Sequence, residues 1–487
     1  MAMTTADTGA VRSLIPARLD RLPWARFHWL VVVGLGTAWI LDGLEIQMVS
    51  VGAFAPDLHM STGEVGFTAQ VYLIGEVVGA LVFGRLTDKL GRRKLFVVTL
   101  LIYLVGSGVC GFSFSVWFLW IFRFVAGMGI GGEYTAINSA IDELIPSKFR
   151  GRVDLAINGT YWAGAAIGAG VSIPLFNPGL VAESWGWRIA FFIGPVLGLI
   201  IIFIRRHIPE SPRWQVTHGH ADEANATVDE IERSLRDRGV TLAPVDQAKA
   251  MWIKATEQIS FKQLAPVFFK QYPSRTFLGL TMMITQSFLY NAIFFTQALV
   301  LENFFHISTG NVGYFFFAFA AGNLLGPLVL GPLFDTIGRR KMIFSTYVIS
   351  ALVLFASALL FKADVLSATT ITIFWCVSFF FASAGASSAY LTVSEIFPLE
   401  VRGQAISYFF AIAQVVGSFG PTIFGAMIGA GTDRTPLFWG YTLGAAVMAF
   451  GGIVALVFGV NAEGKSLEDV ADPLTKVSGE GTEPVTA

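Results

Sequence analysis

The sequence predicts an all-α membrane protein in which twelve transmembrane helices form two pseudo-symmetric halves of six. Charged residues make up only 14% of the 487-residue chain, and the mean hydropathy is +0.63. A soluble chain of this length would carry far more charge on its surface. Glycine is abundant, with 51 residues, which suits close helix packing in lipid because small side chains let backbones approach. Composition therefore predicts the class, and a repeated pair of motifs predicts the two halves.

Two motifs occur twice at nearly the same spacing. GRLTDKLGRRK begins at Gly84 and GPLFDTIGRRK at Gly331, an offset of 331 − 84 = 247 residues. ELIPSKFRG begins at Glu143 and EIFPLEVRG at Glu395, an offset of 395 − 143 = 252 residues. Because two different motifs repeat at nearly one distance, the sequence indicates an internal duplication of about half the chain. Each motif follows an apolar run, so each is predicted to form a short turn at a membrane face.

Apolar segments of about 20 residues follow one another along the chain, and each is long enough to cross about 30 Å of hydrocarbon. The repeat offset maps the second segment onto the eighth and the fourth onto the tenth. The predicted spans are residues 29–50, 63–84, 95–112, 116–141, 153–176 and 188–205, and then 276–302, 310–331, 342–361, 368–394, 404–428 and 436–459.

The spans divide the chain into five regions. They are an N-terminal cytoplasmic segment (1–28), a first six-helix half (29–205), a central cytoplasmic segment (206–275), a second six-helix half (276–459) and a cytoplasmic tail (460–487). The central segment allows two structures, short helices packed under the bundle or a loose linker. Val228, Ile231 and Leu235 form a partial amphipathic stripe, which favours the helices.

Basic residues in the short loops predict the orientation. Most of them fall on one side, among them Arg92, Arg93 and Lys94, whereas the other side holds little beyond Lys362 and Arg434. Short cytoplasmic loops carry the excess of Lys and Arg. We therefore expect both termini in the cytoplasm and the chain in the plasma membrane, which is the cytoplasmic membrane in a bacterium.

Several classes of function are not expected. The net charge of −1 implies no nucleic-acid partner. Cys110 and Cys376 both fall in apolar runs, so packing is the expected role and neither a metal nor a cofactor is predicted. The chain shows no zinc-protease motif, phosphate loop or nucleophile elbow, so it is not expected to be an enzyme. Membrane lipid, a small solute and protons are the expected partners of a chain that works as a monomer.

Charged residues inside the spans point to a proton-coupled site. The first span holds Asp42 and Glu45, which share a helix face because they are three residues apart. Counting about 1.5 Å per residue places Glu45 about 24 Å above the basic surface and Arg123 of the fourth span about 9 Å below the other surface. These depths nearly agree in a core of about 30 Å, so Glu45 and Arg123 are predicted to pair. The pair is either a static packing contact or a protonation switch, and intramembrane carboxylates favour the switch. Glu76 and Glu133 lie nearer the basic side, where each either pairs with a loop arginine or faces the pathway.

The major facilitator superfamily has a loop signature that the first turn resembles: Gly84-x-Leu86-x-Asp88-x-x-Gly91-Arg92-Arg93-Lys94. Gly43-Leu44-Glu45 stands where sugar porters of this superfamily have Gly-Tyr-Asp. The resemblance implies that Glu45 carries a proton that Arg123 modulates, with Asp42 as an additional acid. The stretches Asp42-Gly43-Leu44-Glu45 and Gly131-Gly132-Glu133-Tyr134 are more similar to the symporters of aromatic acids and other metabolites.

The same resemblance implies a set of substrate-binding residues. Gln286 and Asn291 in the seventh span are similar to the sugar-porter Gln-x-x-x-x-Asn pattern, although Thr285 replaces the usual preceding Gln. Amides and phenols donate and accept hydrogen bonds without a net charge, and an amide inside a span can equally join two helices. The implied substrate contacts are Asn158, Gln286, Asn291, Tyr390 and Gln414.

The loop motifs are interpreted as a cytoplasmic gate whose charged groups latch the two halves and separate when that side opens. As exposed pairs, each would contribute only about 0–1 kcal/mol, which suits a bistable latch. An alternative is that the charges only orient the chain. The gate residues are Asp88, Arg92, Arg93, Glu143, Arg150, Glu210, Arg213 and, in the second half, Asp335, Arg339, Arg340, Glu395 and Arg402.

These features predict a secondary active transporter, a proton-coupled symporter of a sugar, polyol or small organic acid that works by alternating access. The neutral lining favours a hydroxyl-rich solute, whereas the metabolite-symporter stretches favour a carboxylate. One alternative is a proton-coupled antiporter that exports drug-like cations, which would require an acidic, aromatic cavity without a compensating arginine; Arg123 counts against it. A solute sensor that transports nothing is the other alternative.

Overall fold

The structure is a computed structural model, and it describes residues 10–50, 54–60, 62–176, 179–205, 209–254, 261–294, 296–307, 309–429 and 431–474. Long α-helices account for most of these residues, and the described strands form a single two-stranded sheet. The fold is therefore the predicted all-α architecture with two six-helix halves.

The first half follows a short strand, β1 (Ala10–Ser13), and a short helix, α1 (Ile15–Asp20). Its six long helices each cross the bundle once. They are α2 (Arg26–Ser50), α3 (Thr62–Leu90), α4 (Arg92–Cys110), α5 (Val116–Leu144), α6 (Arg150–Leu175) and α7 (Glu183–Arg205).

A central segment joins the two halves. It consists of α8 (Pro212–Thr217), α9 (Ala221–Arg236), the strand β2 (Met251–Lys254) and α10 (Phe261–Pro266). The second half then repeats the six crossings, two of them in two pieces. Its helices are α11 (Pro273–Phe294), α12 (Gln297–Phe305), α13 (Thr309–Thr336), α14 (Arg339–Lys362), α15 (Ala368–Ile396), α16 (Arg402–Gly417), α17 (Phe419–Ile428) and α18 (Thr435–Phe458), and α19 (Leu467–Val470) follows them.

Eleven stretches of the described chain are long and apolar enough to cross a membrane. The twelfth crossing is α6, whose 26 residues extend about 39 Å. It is less apolar because its first turns carry Arg150, Arg152, Asp154 and Asn158, which are partly or fully buried. We call the end of the bundle with the two Gly-Arg-Arg-Lys turns the basic face, and the end with Asp364 and Arg434 the opposite face.

Two predicted spans are interrupted. The eleventh, expected as one segment over 404–428, breaks at Ser418 between α16 and α17. Pro421 lies in the first turn of α17, where its missing N–H is tolerated, whereas inside a continuous helix it would remove a backbone hydrogen bond. The seventh, expected over 276–302, breaks between Phe294 and Gln297. Each of these two spans is therefore made of two helices.

Each Gly-Arg-Arg-Lys motif is almost entirely helical, so the predicted turn reduces to one glycine. Gly91 separates α3 from α4 with a φ of 88°, and Gly338 separates α13 from α14 with a φ of 111°. These are left-handed backbone conformations that glycine adopts without steric penalty. Because the helices continue into the motifs, the charges there lie at helix ends.

Short elements at the basic face pack into one layer, which we call the basic-face layer: β1, β2, α1, α8, α9 and α19. β1 pairs antiparallel with β2, so the N-terminal segment is joined to the central segment. Ile15 and Leu19 of α1 are buried with Val228, Ile231 and Leu235 of α9. The central segment thus contains the short helices that the amphipathic stripe favoured.

Candidate functional site

A cavity of about 180 Å³ lies between the two halves, deep in the bundle. The described walls come from α2, α3, α5 and α6 on one side and α11, α15 and α16 on the other. The structure brings all five residues of the implied substrate set to this cavity: Asn158, Gln286, Asn291, Tyr390 and Gln414.

The amides of Gln414 and Asn158 are hydrogen-bonded to neighbouring side chains. Ser287 donates a hydrogen bond to Gln414 over 2.8 Å, and Gln414 donates one to Oε2 of Glu76 over 3.1 Å. Asn158 donates to Asp154 over 3.1 Å on its own helix and to Asn138 of α5 over 3.3 Å. The bond from Gln414 to Glu76 crosses from the second half to the first, so the cavity wall itself links the halves.

Aromatic side chains form much of the lining, and the sequence predicted only one of them. Trp39 stacks on Tyr134 with ring centroids 4.3 Å apart, and Tyr134 meets Phe410 edge to face at 5.5 Å. Sequence patterns carry little signal for these rings, since aromatic residues are common in every span. The eight aromatic lining residues are Trp39, Tyr134, Tyr161, Trp162, Tyr290, Phe294, Tyr390 and Phe410.

Glu45 and Arg123 form an ion pair in the first half, with Oε1 and Nη1 2.7 Å apart. Ser107 donates a hydrogen bond to the other carboxylate oxygen of Glu45 over 2.6 Å. The guanidinium of Arg123 lies 4.0 Å from the ring centroid of Tyr72. Both side chains are buried, and neither is among the described residues that line the cavity. The pairing agrees with the depths counted from the sequence.

Asp42 lies apart from that ion pair although it shares the helix with Glu45. Tyr72 donates a hydrogen bond to one of its oxygens over 2.8 Å, and Tyr134 donates to the other. Asp42 is fully buried. Because Tyr134 also lines the cavity, its phenol connects Asp42 to the cavity wall.

Glu76 and Glu133, whose surroundings the sequence left open, differ. Glu76 of α3 lines the cavity and accepts the hydrogen bond from Gln414. Of the described lining residues, Glu76 is the one that carries a carboxyl group. Glu133 of α5 is buried but is not a lining residue. The acid that lines the cavity is therefore neither of the two acids on α2.

The gate residues form a buried network at the basic face, with ion pairs that run between motifs. Arg92 pairs with Glu143 over 2.7 Å, and Arg339 pairs with Glu395 over 3.0 Å, which repeats the same contact in the second half. The side chains of all four are at most 2% exposed. The expectation of exposed, weakly coupled pairs is wrong, because the helices extend beyond the predicted spans and the basic-face layer covers their ends.

Three contacts of this network join the halves. Arg150 lies 3.4 Å from Glu395, and Glu143 lies 3.8 Å from Arg402. Arg152, which the sequence analysis did not select, pairs with Asp335 over 3.1 Å. In this structure the halves are therefore held together at the basic face.

The remaining gate residues act on helix ends and on the C-terminal segment. Glu210 accepts backbone hydrogen bonds from Arg92 and Arg93 at the start of α4, over 2.9 and 3.1 Å. Arg340 donates to the carbonyl of Leu456. Arg213 pairs with Asp20 over 3.1 Å and with Glu468 of α19. The side chain of Asp88 lies outside the described residues.

Two neighbouring acids set the charge state of Arg213. Burial opposes the charge on Arg213, but Glu468 and Asp20 outweigh it and raise the pKa of its guanidinium above the ordinary value. This side chain therefore stays charged at every physiological pH.

Among the described residues, no group of three or more His, Cys, Asp or Glu side chains is placed to hold a metal ion.

Comparison with known proteins gives the same picture. The family model described as "Sugar (and other) transporter" matches residues 36–473. The niacin transporter NiaP of Acinetobacter baylyi is 26% identical over 457 residues, covering 93% of this chain and 99% of that protein. A proline/betaine transporter of Escherichia coli is 25% identical over 437 residues, covering 86% of this chain and 78% of that protein.

Solved structures show the same fold. The proton:xylose symporter XylE, bound to a bromodeoxyglucose, superposes with a TM-score of 0.76 at 18% identity, covering 91% of this chain and 98% of that one. The family match extends over most of the chain. The two relatives described above are transporters rather than enzymes. The chain belongs to the sugar (and other) transporter family, and it is a multi-pass membrane transporter of small solutes.

Proposed function

We propose that the chain is a proton-coupled symporter that moves a small polar solute by alternating access of its two halves. The observation that carries the proposal is the hydrogen bond from Gln414 to Glu76, a carboxylate of one half held by a solute-site amide of the other. Protonation of such a carboxylate, or binding of solute to the amide, changes the contact between the halves. This is the coupling that alternating access requires.

The two acids of α2 support proton coupling by a different geometry. Glu45 is held by Arg123 and Ser107, and Asp42 by two tyrosines. A charge inside a membrane is expensive to bury, so groups of this kind mark ion pathways. We propose that Glu45 and Asp42 exchange protons during the cycle, with Arg123 adjusting the proton affinity of Glu45.

We propose that the basic face is cytoplasmic, that both termini lie there, and that the chain works as a monomer in the plasma membrane. The support is the excess of basic residues at that face. A cysteine at position 364, on the opposite face, should react with a membrane-impermeant maleimide added to intact cells. A cysteine at position 465 should react only after the cells are opened. The reverse pattern would overturn the orientation.

The ion pairs of the gate support a transport cycle in which the basic face closes and opens. With Arg150 on Glu395 and Arg152 on Asp335, the basic face is closed in this structure. Opening it breaks both ion pairs, and the charges of Arg150 and Glu395 are buried on both sides. The opened state therefore needs new partners for these charges, which water entering from the cytoplasm supplies.

A proton-coupled antiporter of organic cations is a second candidate, and one observation favours it. Arg123 was the argument against it, but Arg123 is bound to Glu45 away from the cavity, whose described lining contains Glu76 and eight aromatic residues. Direction of coupling separates the candidates. Symport moves solute and protons the same way, whereas antiport moves them oppositely.

The experiment uses purified protein in sealed liposomes with an imposed pH gradient. A thermal-shift screen of sugars, polyols, organic acids, betaines and niacin-like compounds at two pH values first finds a ligand, because ligands that bind the folded state raise its melting temperature. The ligand should then accumulate on the side toward which protons flow. Accumulation toward the proton source would establish antiport, and ligand movement that ignores the gradient would overturn proton coupling.

A further inference from the structure

We infer that the solute carries a positively charged nitrogen, which lies between Glu76 and the aromatic rings of the cavity. The inference rests on the proposal that this cavity is the solute site. Of the described lining residues, Glu76 alone has a carboxyl group, and that lining has no Lys, Arg or His. A solute that enters with a net negative charge would find a carboxylate and no cation to receive it.

The aromatic rings of the lining also favour a positively charged solute over a negatively charged one. Trp39, Tyr134, Tyr390 and Phe410 form one group, with Trp39 and Tyr390 at 6.2 Å and Tyr390 and Phe410 at 6.3 Å between ring centroids. Two of these rings belong to the first half and two to the second. The face of an aromatic ring is electron-rich and attracts a cation within about 6 Å, and a desolvated site strengthens that attraction.

Glu76 is positioned to complete such a site. It lines the same cavity as the four rings and is 2% exposed, so water screens its charge poorly. Gln414 donates one hydrogen bond to it, on one oxygen. A buried carboxylate held by a neutral donor favours a positive partner, which a cationic solute supplies.

The neighbouring charges do not remove this preference. Arg123 is bound to Glu45 at 2.7 Å. Asp42, close to the cavity through Tyr134, is a further acid and brings no positive charge. The amides at Asn158, Gln286 and Asn291 then hold the polar remainder of the solute, such as a carboxylate, hydroxyl or carboxamide, since amides both donate and accept. A zwitterion or a small organic cation fits both parts of this lining, the acid with its rings and the amides. A sugar has no positively charged nitrogen to place beside Glu76.

Matched probes test the inference by binding to the purified protein at pH 7, where no gradient is needed. 1-Methylnicotinamide is the cationic partner of neutral nicotinamide, trigonelline is the zwitterionic partner of anionic nicotinate, and choline is the cationic partner of neutral 3,3-dimethyl-1-butanol. Xylose represents the hydroxyl-rich solutes. We expect at least one cationic or zwitterionic member to bind about ten-fold or more tightly than its partner.

Two variants show whether Glu76 causes the preference. Glu76→Gln keeps the shape and removes the charge, and it should reduce the ten-fold preference to within about two-fold. Glu133→Gln changes another buried membrane carboxylate, one outside the described lining, and should keep the preference. Tighter binding of nicotinate, a neutral partner or xylose than of any cationic probe overturns the inference, as does binding of no positively charged probe. Proton-coupled movement of xylose would leave the proposed function standing while removing this inference.

Discussion

The carboxylate of Asp335, in the last turn of α13, accepts a hydrogen bond from the backbone N–H of Gly151, in the first turn of α6, over 3.0 Å. The other oxygen of Asp335 accepts one from the N–H of Arg152 over 2.9 Å. The first N–H groups of a helix lack partners within the helix and carry a partial positive charge. An acid of one half thus caps a helix of the other half, in addition to its ion pairs with Arg339 and Arg152.

Asp335→Asn is expected to slow transport without preventing membrane insertion, because the neutral amide weakens the cap and the ion pair with Arg152 that joins the halves. Asp88→Asn, at the equivalent position of the first repeat, is expected to do the same. Exchange of labelled ligand in liposomes measures the rate. Asp364→Asn is the control, since Asp364 pairs with Arg434 at the opposite face. Wild-type exchange rates for both repeat variants would reduce the motif to a signal for orientation.

Glu45→Gln is expected to abolish proton-driven accumulation and to retain exchange at equal solute concentrations. The amide mimics a permanently protonated acid, so the loaded carrier still changes state but brings no proton. One proton moving through 100 mV supplies about 2.3 kcal/mol, or about fifty-fold accumulation. Accumulation equal to that of the wild type would remove Glu45 from the coupling role and leave Asp42 as the candidate.

Stability gives the control for this variant. Arg123 is left buried without its 2.7 Å partner in Glu45→Gln, and breaking a buried pair in this way costs about 3–5 kcal/mol. The melting temperature should therefore fall, and the double variant Glu45→Gln with Arg123→Gln should recover much of the loss. A single variant as stable as wild type would show that the pair contributes little to the fold.

The sequence was sufficient to predict the pairing of Glu45 with Arg123, because an isolated charge in hydrocarbon is so unfavourable that two opposite charges at one depth almost require each other. The sequence was also sufficient to predict the twelve crossings, because the thickness of the bilayer fixes how many apolar residues a spanning helix needs. It was insufficient for Trp39 and Tyr161, because an aromatic side chain is as stable against lipid as inside the bundle. Their place in the cavity wall follows only from helix rotation.

The charged residues of the gate show a similar limit to what the sequence predicts. The sequence identified its charged residues from their repeat, and it grouped Arg92 with Asp88 and Arg150 with Glu143. Arg92 reaches Glu143 and Arg150 reaches Glu395, and both contacts depend on how far the helices continue past the membrane and on which half lies opposite. The spacing of charged residues along the sequence therefore does not determine which of them form ion pairs.

Gly164→Ala is expected to destabilise the fold, because α6 contacts α2 at this glycine. A Cβ at position 164 would lie 1.9 Å from the carbonyl oxygen of Ile40, so the two helices must separate. Overpacking of this kind typically costs about 1–3 kcal/mol. Gly170→Ala is the matched control on the same helix, since its Cβ would meet no atom within 4 Å. Thermal unfolding in detergent should show a lower melting temperature for the first variant alone, and equal values for both would contradict the close contact.

The basic-face layer is expected to loosen in acid through Glu232. Its carboxylate accepts hydrogen bonds from Arg18 (3.1 Å), Arg21 (2.6 Å) and Arg236 (2.9 Å), and Asp229 shares Arg18. Burial tends to raise the pKa of Glu232, but the hydrogen bonds and charges of Arg18 and Arg21 outweigh it and hold the pKa below the ordinary value of 4.5.

The sign of this effect follows from the lowered pKa. The unfolded layer binds the proton more readily than the folded one, so Glu232 stabilises the layer fully above pH 4.5, and that contribution disappears as the pH falls through the lower, folded value. Hydrogen exchange of the α1 and α9 amides, corrected for intrinsic exchange rates, should show less protection at pH 3 than at pH 7. Glu232→Gln should lower protection at pH 7 and remove most of the change between the two pH values. Equal pH dependence in the variant and the wild type would assign the effect to another group, because the substituted amide cannot titrate.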